Sequence, residues 1–139
     1  MDTRTSSGLA IATRLHAAVN AHDLDAMVEC FATEFVNETP VHPARSFRGR
    51  DQVRKNWAQI FAAVPDLEAD MVDSARNGDT VWTEWEMRGT RLDGAPHLMR
   101  GVSIFKVGDD SFASVRFYLE PVEQAGAGVD AAVRSVLGR

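Results

Sequence analysis

The chain has 139 residues, 45% hydrophobic and 25% charged, with a formal net charge of −5 and a single cysteine. That length predicts one domain able to bury its own core without disulfides or metal, and the composition excludes extensive disorder. Scattered Arg and Lys residues exclude a nucleic-acid groove or an anionic membrane surface, and no run reaches the ~18 apolar residues of a membrane span.

Met1-Asp2-Thr3-Arg4 lacks the basic-then-apolar form of a secretion signal. A lone Cys30 inside the apolar run 27–31 reads as a small buried hydrophobe. Together these place the protein in a reducing cytoplasm.

Residues 1–7 are polar and are expected to fray. From Gly8 the stripe Leu9, Ala12, Leu15 and Val19 predicts a helix ending at Asn20-Ala21-His22. Asp23 is the expected N-cap of a second helix carrying Leu24, Met27, Val28 and Phe31. An extended piece, Glu34–Thr39, stops at Pro40, and a loop with His42-Pro43 runs to Gly49. Gly49-Arg50-Asp51 opens a third helix with Val53, Trp57, Ile60 and Phe61 inward, ended by Pro65-Asp66.

The period then changes to two. Strands are predicted over 67–76, 79–90, 97–107 and 112–120, separated by Asn77-Gly78-Asp79, Asp93-Gly94-Ala95-Pro96 and Gly108-Asp109-Asp110. Helices followed by hairpin-linked strands give an α+β domain with an antiparallel sheet over residues 8–121. The tail 122–139 carries a candidate short helix with Val129, Val133 and Leu137.

Alternation sorts the strands into two faces. Val81, Thr83, Trp85 and Met87 should face the helices, as should Met99, Ser103, Phe105, Val115, Phe117 and Leu119. The other face carries Trp82, Leu98, Val102, Ile104 and Tyr118 among Glu84, Glu86, Arg88, Arg100, Arg116 and Glu120. An apolar patch of that size predicts a homodimer built on this outer face.

Several passages resemble proteins of the nuclear transport factor 2-like superfamily. They are Asn20-Ala21-His22-Asp23-Leu24-Asp25, Cys30-Phe31-Ala32-Thr33-Glu34, Gly49-Arg50-Asp51-Gln52-Val53-Arg54, Val64-Pro65-Asp66-Leu67, Gly78-Asp79-Thr80-Val81 and Arg116-Phe117-Tyr118-Leu119. The resemblance spans roughly residues 9–120 and is strongest to the SnoaL-like branch, which includes polyketide cyclases, with ketosteroid isomerase more distant. It implies a cystatin-like, cone-shaped α+β barrel: three N-terminal helices on a curved sheet around an apolar cavity, usually dimeric and without a cofactor.

The reactions of such relatives do not transfer by residue. Where the resemblance places the isomerase base, tyrosine and protonated aspartate, this chain has Thr39, Leu15 and Ser103; where cyclases carry an Asp on the last strand, it has Phe117. The carboxylates and guanidinium of the epoxide-hydrolase relatives find local counterparts only in Glu84, Glu86 and Arg88, which alternation turns outward.

The expected pocket is therefore Leu15, Thr39, Trp57, Thr83, Trp85, Met87, Met99, Ser103 and Phe117, hydrophobic walls with few polar groups. His97 is the candidate proton shuttle, since its side chain titrates near neutrality and shares the parity of Met99 and Ser103. Glu68 and Asp70 are candidate carboxylates only if they turn inward. The isolated histidines give no metal-ligand spacing, so no metal is expected. The function expected is a small-molecule enzyme of cyclase or isomerase type with a hydrophobic oxygenated substrate. The alternatives are a non-catalytic binder of hydrophobic ligands, or an epoxide-hydrolase-like enzyme if Glu84, Glu86 and Arg88 face the cavity.

Overall fold

The computed structural model describes residues 3–139, with side chains from Gly8 onward. The elements are α1 (Thr3–Ala21), α2 (Leu24–Glu29), β1 (Phe31–Glu38), a 3-10 turn (Pro43–Arg45), β2 (Phe47–Arg48) and α3 (Arg50–Ala63), followed by β3 (Glu68–Asn77), β4 (Thr80–Thr90), β5 (Pro96–Val107), β6 (Phe112–Pro121) and α4 (Val129–Val136). Helix α1 thus starts at Thr3 and not at Gly8, while the fraying expected of Met1 and Asp2 lies outside the described residues.

Six strands form one sheet in the order β2-β1-β6-β5-β4-β3. Strands β3 to β6 make the expected antiparallel meander. The sheet as a whole is mixed, because β1 pairs with β6 in parallel, with Asn37 opposite Val115 and Glu38 opposite Arg116. Helices α1 to α3 lie over the inner face of this sheet and form the α+β cone with it.

Helix α1 ends through its backbone: His22 takes a left-handed φ of 54°, while His22 N and Asp23 N donate to Val19 O and Ala18 O at 3.1 and 3.0 Å. Asp23 Oδ1 then accepts from Ala26 N at 3.1 Å and starts α2. The same turn closes the sheet's edge. Strand β3 has a neighbour on one side only, and α1 supplies side chains to its free backbone: Asn20 bonds both Ala69 N (2.7 Å) and Ala69 O (2.9 Å), and His16 Nε2 lies 2.8 Å from Ala69 O. His22 Nε2 approaches Leu67 O at 2.8 Å, and its ring stacks on Phe61.

Phe35, Phe112, Ile11, Met27 and Leu67 are among the most deeply buried side chains between helices and sheet. Gly101 of β5 sits where no side chain fits. It pairs with Leu119 at a φ of 155°, and a Cβ there would collide with the backbone of Tyr118 and Leu119.

Candidate functional site

The helices do not fill the cone. A cavity of about 250 Å³ remains between α1, α2, α3 and the inner face of the sheet. Leu15 and Val19 of α1, Met27 of α2, and Val53, Trp57 and Ile60 of α3 form its roof. Phe31, Phe35, Trp85, Phe105, Phe117 and Leu119 form much of its floor.

Of the residues expected at the pocket, Leu15, Thr39 and Trp57 line it, as do Trp85, Met87, Ser103 and Phe117. Thr83 does not. It is fully buried beneath the wall, where its hydroxyl donates to Ser103 O and accepts from Trp85 Nε1, both at 2.8 Å, so it holds the indole in place. Met99 is also outside, because it lies opposite Pro121 where β5 and β6 leave the cavity, half-buried against the core. His97 is a second residue out on β5, half-buried opposite Gly89, and does not reach the cavity.

The outer-face charges stay outside. Arg88 binds Asp70 at 2.7 Å and Glu68 at 3.0 Å, Arg100 binds Glu86 at 3.2 Å, and Glu84 is exposed. Glu84, Glu86 and Arg88 therefore do not meet the condition for an epoxide-hydrolase-like site, and Glu68 and Asp70 do not turn inward.

Polar groups concentrate around the end of β1. Asn37 and Thr39 are buried, and Asn37 Nδ2 donates to Thr39 Oγ1 at 2.9 Å. Thr39 N donates to Ser46 Oγ at 3.0 Å, folding the loop 39–46 back over the cavity's end. Among the described residues no side-chain polar atom is both sealed off and unpaired. The Ser103 hydroxyl, which makes no hydrogen bond to the described protein, must therefore open onto the cavity that Ser103 lines.

Four polar lining residues escaped the sequence reading: Asn37, Arg45, Asn56 and Glu120. Asn56 had a signal, since it precedes Trp57 on the inward side of α3. Glu120 had the opposite signal, because alternation along β6 assigns it to the outer face. It is the last residue but one of β6, and its carboxylate is met there by the loop: His42 Nε2 lies 2.8 Å from Oε1 and Arg45 Nη1 3.9 Å from Oε2. Arg45 and Glu120 are the only charged side chains among the described lining residues.

Cys30 lies apart from the cavity lining, its Sγ 3.5 Å from Ala26 O, and burial pushes its thiol up against a smaller opposing pull from Arg14. It is a neutral core thiol. No group of three or more His, Cys, Asp or Glu residues among those described could hold a metal ion, and no helix among them is long and apolar enough to cross a membrane.

Residues 12–115 match the SnoaL-like domain family. The chain belongs to that family. The structure of this SnoaL-like domain is similar to a candidate SnoaL-like polyketide cyclase from Jannaschia sp. CCS1, with 19% identity and a TM-score of 0.72 over 86% of this chain and 89% of that one. It is similar to an LEH-like epoxide hydrolase of M. tuberculosis, with 16% identity and a TM-score of 0.71 over 84% of each chain. A cystatin-fold protein from Novosphingobium aromaticivorans shares 24% identity and a TM-score of 0.66 over 80% of this chain and 97% of that one. No curated protein matches the chain. At these identities the neighbours establish the fold, which is the cyclase and isomerase type expected for a SnoaL-like domain, while the chemistry rests on the cavity itself.

Proposed function

We propose that this SnoaL-like protein is a cofactor-independent small-molecule enzyme of cyclase or isomerase type that takes a hydrophobic, oxygenated substrate into the cavity. The observation that carries the reading is the cavity's make-up: aromatic and aliphatic walls, hydroxyls at Thr39 and Ser103, and one cation and one carboxylate at Arg45 and Glu120. Such walls exclude water from a bound ketone, and confinement beside a proton acceptor favours loss of a proton next to the carbonyl, the step common to aldol closure and double-bond migration. The lone buried Cys30 is consistent with a cytoplasmic setting.

2-Tetralone, a small apolar ketone, tests this. The protein should accelerate exchange of its α-protons in D2O by about 10² or more over buffer at the same pD. Bound tetralone with no acceleration would reject catalysis.

One observation favours a second reading, a binding protein without turnover. The positions where the resemblance puts isomerase and cyclase acids and bases hold Leu15, Thr39, Ser103 and Phe117. It predicts saturable binding of 2-tetralone with exchange at the buffer rate.

We also propose that a second copy covers the outer sheet face. Trp82 and Tyr118 remain 44% and 36% exposed there, and α4 does not cover them, since its own Val129, Val133 and Val136 are all exposed. Glu84 lies opposite Val102 on β4 and Arg116 opposite Ile104 on β6, and both are exposed and without an ion-pair partner among the described residues. A two-fold axis near Val102 brings each towards its opposite number in the second copy.

A further inference from the structure

The positions that the resemblance marks for acids and bases carry neither, but the cavity does contain titratable groups. Among the described residues these are Glu120 and Arg45, with His42 touching Glu120 from outside the wall. We propose that Glu120 is the proton-accepting group of the cavity, that Arg45 faces the oxygen on which charge develops, and that His42 is the positioning residue for the Glu120 carboxylate. The proposal rests on the enolisation reading above.

Three features support it. Glu120 stands where an apolar cavity meets water, with its side chain 38% exposed. An entering apolar ligand displaces that water, and a carboxylate that loses hydration becomes a stronger base. Both carboxylate oxygens are addressed by one short loop, Oε1 by His42 and Oε2 by Arg45, which holds the group in a defined orientation at little further entropic cost. The third feature is an asymmetry. His42 is in close contact at 2.8 Å, whereas Arg45 stands off at 3.9 Å, too far for a hydrogen bond. The Arg45 guanidinium therefore keeps donors for a ligand oxygen, and it lines the cavity from which that oxygen would present itself.

The step balances without any further reactant. The C–H bond α to the ligand carbonyl breaks, and its proton passes to a Glu120 carboxylate oxygen. The electron pair forms the enolate C=C bond and leaves its charge on the oxygen facing Arg45. Reprotonation at carbon from Glu120 returns the carboxylate to its starting state; on the alternative branch the enolate carbon attacks a second carbonyl of the same molecule, and the new alkoxide takes the proton from Glu120.

The experiment measures α-deuterium exchange of 2-tetralone by NMR at saturation, with affinity measured in parallel by tryptophan fluorescence. Glu120→Gln, close to isosteric on a half-exposed residue, should lower exchange about 10²-fold while changing affinity by less than about threefold. His42→Ala should cost about tenfold in rate with affinity kept, and His42→Gln, which retains a donor, should recover part of that loss. Wild-type exchange persisting in Glu120→Gln with ligand bound overturns the assignment of Glu120 and leaves the enzyme reading standing. A wild-type protein that binds 2-tetralone and does not exchange it, or that does not bind it, overturns both.

Discussion

His42 Nε2 lies 2.8 Å from Glu120 Oε1, so one contact ties the loop after β1 to the end of the last strand at the mouth of the cavity. The loop has few other anchors, chiefly Thr39 N on Ser46 Oγ and its own turn bonds. His42→Ala should therefore free the loop more than it weakens the fold. Limited trypsin digestion should cut faster after Arg45, while global stability in urea falls by less than about 1 kcal/mol, as for other half-exposed polar contacts. Unchanged digestion would show that the contact does not hold the loop.

Thr83 was expected at the pocket and lies beneath it. Thr83→Val keeps the shape but leaves the Trp85 indole N–H without its acceptor, which should cost about 1–3 kcal/mol. Denaturant unfolding measures the loss, and 2-tetralone affinity should stay within about twofold of wild type because the residue does not touch the ligand space.

At Gly101 the backbone of β6 occupies the space a side chain would need. Gly101→Ala places a methyl group against the backbone of Tyr118 and Leu119, atoms that cannot swing away as a side-chain end could. Destabilisation of about 2 kcal/mol or more is expected, with a matching drop in Tm.

Acid sensitivity should appear in the β4–β5 turn. The Asp93 carboxyl is lowered from 3.8 to about 2, first by hydrogen bonds from Arg91 and then by Ala95 N. A carboxylate depressed in the folded state stabilises it above pH 3.8, and that contribution is lost as the pH falls through about 2. Asp93→Asn should be less stable than wild type at pH 6, and the difference should shrink as the pH falls towards 2 and vanish below it. A difference that grows on acidification would contradict this sign.

The outer-face dimer is tested by light scattering. The wild type should have twice the chain mass, and Trp82→Glu should shift it to the monomer mass with its circular dichroism unchanged. A monomeric wild type at about 100 μM would remove the proposal.

Much of this architecture was legible because it is local. The strands predicted over 67–76, 79–90, 97–107 and 112–120 end within about a residue of β3 to β6, since alternation and the turns at Gly78 and Gly94 are read from adjacent residues. The parallel pairing of β1 with β6 was not legible. It joins Asn37 to Val115 across most of the chain, and no turn records it. Strand β2 is two residues long and carries no period at all.

The site divides in the same way. Trp57, Trp85 and Phe117 follow from the stripe of α3 and the pleat of the sheet. Glu120 does not, because alternation describes the middle of a strand, whereas a long side chain at a strand's end answers to whatever loop packs there. Here that loop brings His42 and Arg45, and its fold depends on Thr39 N reaching Ser46 Oγ. Met99 and His97 fail for the complementary reason. Their parity is inward, but the cavity stops before their end of β5.

The methionine methyl groups report directly on whether the cavity takes a ligand. Met27 and Met87 line the cavity; Met71 and Met99 are half-buried outside it. Titration of methyl-13C-methionine protein with 2-tetralone should shift the Met27 and Met87 resonances saturably and leave Met71 and Met99 nearly still. Shifts confined to Met71 or Met99, or no saturable shift at Met27 and Met87, would show that the cavity is not the ligand site.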